Sequence, residues 1–85
     1  MQEVDKILYK MGYFDADPYK KQEVQDSIDA AVEFMIESGV PAEQITSKRA
    51  YSVKAIFADA IDKGMPDEIV KKDGMIIALI AQMRR

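Results

Sequence analysis

Cysteine and histidine are both absent from this 85-residue chain. Without cysteine there is no disulfide, no thiolate nucleophile and no thiolate metal site. Without histidine the usual proton shuttle and the commonest transition-metal ligand are missing as well. No glycine-rich phosphate loop is present either. Together these absences exclude most of the chemistry open to a small enzyme, so the chain is not read as one, and no catalytic residue, cofactor or metal site is assigned. No apolar run reaches the roughly 20 residues that a membrane span requires, so no membrane partner is expected. Nowhere do β-branched and aromatic residues alternate with period two, and there is no low-complexity tract or internal repeat. The opening Met1-Gln2-Glu3-Val4-Asp5 lacks a basic region leading into an apolar run, so no signal peptide is expected and a cytosol-like location is.

Fifteen acidic and twelve basic side chains leave a net charge of −3, which argues against an electrostatic grip of the whole domain on nucleic acid. The length fits one domain, and a fold of this size buries only about 60–65% of the surface its unfolded chain exposes. The margin of stability is therefore thin.

Glycine marks where helices should stop. Gly12, Gly39 and Gly64 each follow a segment of helical periodicity and suit left-handed caps. The spacing predicts an all-α fold, a small bundle or orthogonal array of about four helices in a single domain over residues 1–85. The first helix covers 3–11, with Val4, Ile7, Leu8 and Met11 in one narrow stripe. Tyr13 and Phe14 are expected to close over the core before a turn at Asp15-Ala16-Asp17. Asp17 as N-cap and Pro18 in the first turn then open a second helix over about 18–38. Its apolar side holds Val24, Ile28, Ala31, Val32, Met35 and Ile36, with Phe34 at the margin.

Val40 to Thr46 reads as a connector, with a turn begun by Pro41. Ser47 or Thr46 caps a third helix, about 47–63, whose inward positions are Ala50, Val53, Ile56, Phe57, Ala60 and Ile61. Pro66 restarts a short turn of helix to Lys72, and Asp73-Gly74 breaks it ahead of a last helix, about 73–84.

That last helix is apolar almost all the way round. At about 100° per residue, Met75, Leu79, Met83, Ile76, Ile80 and Ile77 sweep an arc of about 200°, twice the stripe a surface helix needs. Each large apolar side chain is worth about 1.5–3 kcal/mol when fully buried. The helix is therefore either central to the fold or shared with another subunit.

Other candidate sites reduce to solvated surface. Asp15, Asp17 and Asp26 fall at positions one, three and twelve of a calcium-loop window, but Lys20 stands where that loop requires glycine and Tyr19 where it requires an oxygen ligand. Asp26, Asp29, Glu33 and Glu37 line the polar side of the second helix, where water surrounds them and acid–base chemistry is not set up. The basic pairs Lys48-Arg49 and Lys71-Lys72 are isolated. Gly39 to Ile61 can be drawn as a helix-turn-helix with Lys48 and Arg49 opening the recognition helix, but so few cations neutralise few phosphates, and sequence-specific nucleic-acid binding is not expected.

The order of residues resembles a known family. The run Val24-Gln25-Asp26-Ser27-Ile28-Asp29-Ala30-Ala31-Val32-Glu33-Phe34-Met35-Ile36-Glu37-Ser38-Gly39-Val40 is similar to the first long helix of the small head-tail connector proteins of tailed bacteriophages and prophages. Those proteins show an Ile-x-Ala-Ala core and a Gly-Val stop. The likeness continues through Ala50-Tyr51-Ser52-Val53-Lys54-Ala55-Ile56-Phe57 and the Lys63-Gly64 break to the closing apolar helix. It covers about residues 17 to 85, and Met1 to Phe14 lies outside it.

The resemblance implies a non-catalytic virion component, made in the host cytoplasm, that assembles as a ring between the portal and the tail-side proteins. A surplus of apolar helix surface on a thin core agrees with self-association. The expected intersubunit contacts are Phe34, Ile76, Ile77 and Ile80, and the stripe Asp26, Asp29, Glu33 and Glu37 is expected to face a channel for DNA. The alternative is a small regulatory module that binds DNA through a helix-turn-helix or accepts a partner helix in a groove.

Overall fold

The computed structural model describes residues 2–84. The chain forms five α-helices and, among the described residues, no strand: α1 (Glu3–Met11), α2 (Pro18–Glu37), α3 (Lys48–Asp62), α4 (Asp67–Val70) and α5 (Gly74–Met83), with a 3-10 turn at Ala42–Gln44 between α2 and α3. The fold is all-α, as the periodicity predicts, and the short segment after Pro66 forms α4, a helix beyond the expected four. The expected ends at 38, 47, 63, 73 and 84 fall on capping residues just outside the helices.

Local chemistry accounts for these limits. Asp17 accepts a hydrogen bond from the backbone N–H of Lys20 at 2.8 Å with Pro18 as the first helical residue, and Ser47 accepts from Ala50 at 3.2 Å. Asp73 accepts from the N–H groups of both Met75 and Ile76. Each satisfies an otherwise orphaned donor at a helix start. Asp73 thus begins the last helix, whereas the preceding one already ends at Val70 with Lys71 as its cap. At the other end of α2, Gly39 adopts φ +93°. There Val40 donates to Met35 O and Gly39 to Ile36 O, the paired bonds of a Schellman stop, with Val40 and Met35 both buried beneath it. The same pair of bonds ends α1 at Gly12 and α3 at Gly64.

The core is organised around α3, which packs against α1, α2, α4 and α5. From Ala50 onward no residue of α3 is fully exposed. One cluster gathers Ala31 and Met35 of α2, Ala50, Val53 and Phe57 of α3, Val70 of α4, and Ile76, Ile80 and Met83 of α5. A second joins Val4, Ile7 and Leu8 of α1 to Val24 and Ile28 of α2 and Ala58 of α3. The Cα envelope is a flattened 38 × 27 × 16 Å.

Several inward assignments need correction. α5 is not the central helix. It lies along α3 and buries only Ile76, Ile80 and Met83, spaced i, i+4 and i+7, while Met75 and Ile77 stay 61% and 52% exposed. A helix covered on one side needs only a stripe of about 100°, so the remainder of its wide apolar arc faces outward. On α2, Ile36 is exposed and Val32 half-buried. Ile56, Ala60 and Ile61 of α3 are half-buried, and the fully buried positions include Lys54 and Ala58 instead. Tyr13 does close over the second cluster, but Phe14 is 72% exposed.

Adjacent isoleucines on α5 should therefore behave oppositely. Ile76→Ala should destabilise the fold by about 2–5 kcal/mol, as for other buried isoleucines, whereas Ile77→Ala should cost about 1 kcal/mol or less. Urea denaturation followed by circular dichroism measures both.

Candidate functional site

Of the four expected interface residues, two are withdrawn by their burial. Ile76 and Ile80 lie in the core beneath α5 and have no surface to offer a partner. Phe34 is half-buried, packed near Phe57 with ring centroids 6.5 Å apart and covered by the Lys71 ammonium at 5.4 Å from its ring. Ile77 alone of the four stands out from the surface. It belongs to a group the spacing did not single out: Met65, Ile69 and Met75, with Ile77, are the exposed large apolar side chains of the α4–α5 region. The signal was available in the excess width of the apolar arc, whose centre is buried and whose two edges, Met75 and Ile77, stay exposed on opposite flanks of α5.

A second exposed group sits where α1 turns into α2. Tyr9 meets Phe14 edge to face with centroids 4.7 Å apart, and both rings project into solvent, as does Tyr19, 86% exposed at the start of α2. Leu8, Tyr13, Ala16, Asp5, Asp15 and Lys21 complete a groove beside this pair. Tyr9 lies off the apolar stripe of α1, the one hint of its exposure in the sequence.

The acidic stripe is where the periodicity puts it. Asp26, Asp29, Glu33 and Glu37 are all exposed. Gln22 donates to Asp26 at 2.8 Å and Gln25 to Asp29 at 2.9 Å, each one helical turn earlier. No group of three or more metal-ligating side chains converges among the described residues, and none of the helices is long and apolar enough to cross a membrane. Asp15 and Asp17 serve the α1–α2 turn, with Asp17 occupied as a cap. Lys48 and Arg49 are exposed at the start of α3, where the Arg49 guanidinium donates to Gln82 of α5 at 2.7 Å. The rest of α3 offers no free face of the kind a recognition helix inserts into a groove.

Two polar clusters tie the helices together. In the first, the Asp62 carboxylate at the end of α3 accepts from the Tyr13 hydroxyl at 2.8 Å and from the Lys20 ammonium, which also lies 4.8 Å from the centre of the Tyr13 ring. Hydrogen bonding from Lys20, then from Tyr13, holds the Asp62 carboxyl below its ordinary pKa against the opposing effect of burial. The same bond raises the Lys20 ammonium. In the second cluster, Lys54 is buried in α3. Its ammonium donates to Glu3 of α1 at 3.0 Å and to the backbone carbonyl of Ile45 at 2.8 Å, linking the first helix to the α2–α3 connector. Among the described residues no buried side-chain polar atom lacks a partner. A lysine in the middle of a helix reads as solvated surface, so the sequence concealed this one.

The clusters have separable consequences. Lys54→Ala should destabilise by about 2–4 kcal/mol, since it strips the Ile45 carbonyl and the buried stem of their partners. Lys54→Met, which keeps the stem, should cost less in the same urea titration. Because the folded-state pKa of Asp62 is depressed, its contribution is complete above the ordinary carboxylate pKa of about 3.9 and disappears as pH falls through the lower folded value. The stability gap between the wild type and Asp62→Asn should therefore be constant from about pH 5 to 8 and shrink below about pH 4.

No family model, no curated protein and no solved structure matches this chain.

Proposed function

We propose that this chain is a structural assembly subunit, a head-tail connector of the kind found in tailed bacteriophages and prophages, that associates with copies of itself into a ring between portal and tail-side proteins. The observation that carries this reading is that four large apolar side chains, Met65, Ile69, Met75 and Ile77, stand exposed on so small a domain. Burying the exposed half of each against a neighbour is worth about 1 kcal/mol per side chain. A ring gains the same contact at every subunit, with no new surface to specify. The resemblance of residues 17 to 85 to the connector family gives the assembly its identity. On this reading the protein catalyses nothing, passes from host cytoplasm to virion, and turns the exposed stripe Asp26, Asp29, Glu33 and Glu37 toward a channel where like charge keeps DNA from adhering. The regulatory alternative has less support, because α3 lacks a free face beyond Lys48 and Arg49.

Sedimentation velocity across a concentration series tests the reading. The wild type should associate, and Ile77→Asp should weaken association at least about tenfold, the equivalent of 1.4 kcal/mol. Far-UV circular dichroism should be unchanged, since the new carboxylate sits in the second turn of α5, near the positive end of the helix dipole. A duplex-DNA affinity that falls with salt and is lost on changing Lys48 and Arg49 to alanine would favour the regulatory module instead.

A further inference from the structure

We propose that α1 is a latch on the connector between α2 and α3, so that when the first helix leaves its seat the segment around Ile45 loosens with it. This holds whether or not copies of the chain associate. Lys54 transmits the effect. It is the one buried charged side chain among the described residues, 4% exposed in the middle of α3. Its ammonium has two partners, the Glu3 carboxylate at 3.0 Å and the Ile45 carbonyl at 2.8 Å. One partner belongs to α1 and the other to the connector, so a single buried charge depends on both being in place.

α1 can open without the rest of the fold. Its buried side chains Val4, Ile7 and Leu8 enter only the cluster with Val24, Ile28 and Ala58, whereas the buried side chains of α4 and α5 enter only the other. Removing α1 therefore uncovers one cluster and leaves the other closed. At nine residues it is shorter than the roughly 12–15 that a helix needs to persist in water, so undocking and melting coincide. No side chain caps its start, and Gly12, at φ +99°, separates it from the chain that follows. Beyond that glycine Tyr13 is fastened to Asp62, so release of α1 need not carry α2 with it. Few buried groups and a discrete hinge describe a unit that opens at a lower cost than global unfolding.

The consequence for the connector follows from the cost of a buried charge. The Lys54 ammonium is tolerated because a carboxylate and a carbonyl satisfy it together. Once α1 takes Glu3 away, the four-carbon stem of Lys54 carries the charge out to water, and the Ile45 carbonyl loses its donor. Little else holds this segment. Ala42 and Glu43 are exposed, Ile45 is half-buried, and the local backbone bonds are those of one 3-10 turn. Linkage makes the coupling reciprocal: whatever fixes residues 41–47 also holds α1 in its seat.

Amide hydrogen exchange in the full-length chain, followed residue by residue by NMR below the unfolding transition, tests the latch. Leu8→Ala empties a buried position of α1 in the cluster that Ile45 does not join. Relative to Ile56 and Phe57 of α3, which report global unfolding, it should speed exchange at least about tenfold at Ile7 and also at Ile45 and Ser47. Glu3→Ala, which leaves the apolar stripe of α1 intact, should act in the same direction at Ile45 and Ser47. In a Lys54→Met background Leu8→Ala should still loosen α1, and Ile45 and Ser47 should no longer respond.

The latch is overturned if Leu8→Ala leaves Ile45 and Ser47 as protected as in the wild type, or if it speeds them no more than it speeds Ile56 and Phe57. Unchanged transmission in the Lys54→Met background overturns it equally. If Lys54→Met does not fold, Glu3→Ala decides, since loss of that carboxylate without effect at Ile45 rules out the link.

Discussion

Apolar burial against α3 is the interaction from which the rest of the structure follows. An 85-residue chain without cysteine has no disulfide and relies on its core to offset the conformational entropy of folding. That core is assembled on one helix, touched by all the others. Alanine at positions 50, 55, 58 and 60 keeps much of the surface of α3 low. Neighbouring helices can therefore approach on several sides, while Val53 and Phe57 fill the space between them. Two clusters result, on different sides of this helix, and α1 and α5 complete different ones.

Hydrophobic burial has no direction, and polar contacts supply the register. Tyr13 and Lys20 converge on Asp62, fixing the α1–α2 turn and the start of α2 against the end of α3. Lys54 reaches from inside α3 to Glu3 and to the carbonyl of Ile45, so one ammonium locates both α1 and the connector after α2. Breaking either cluster leaves a polar group in a place that water reaches poorly, a cost that penalises slipped packings of the same helices.

The outer surface is as uneven as the core is ordered. One side of α2 is a continuous acidic stripe, one corner carries an edge-to-face aromatic pair, and the α4–α5 region carries isoleucine and methionine among charges of both signs. Scattered exposed apolar residues are normal on a monomer.

Helix limits were legible in the sequence because their causes are local. Asp17, Ser47 and Asp73 accept from backbone groups two or three residues away, and a glycine after each of α1, α2 and α3 takes up a left-handed turn that side chains resist. The stripes of α1 and, apart from Ile36 and Val32, of α2 were also readable, since a helix that is polar on one side has only one way to face. What periodicity could not decide was the facing of α5, whose apolar arc exceeds any single contact. Packing along α3 selected Ile76, Ile80 and Met83 and left Met75 and Ile77 outside. Tertiary structure alone also made Lys54 a buried residue, left Phe14 in solvent, and brought Tyr13 to a carboxylate forty-nine residues away. Capping and periodicity depend on neighbours along the chain, whereas burial depends on which surfaces happen to meet, and that is a property of the assembled fold.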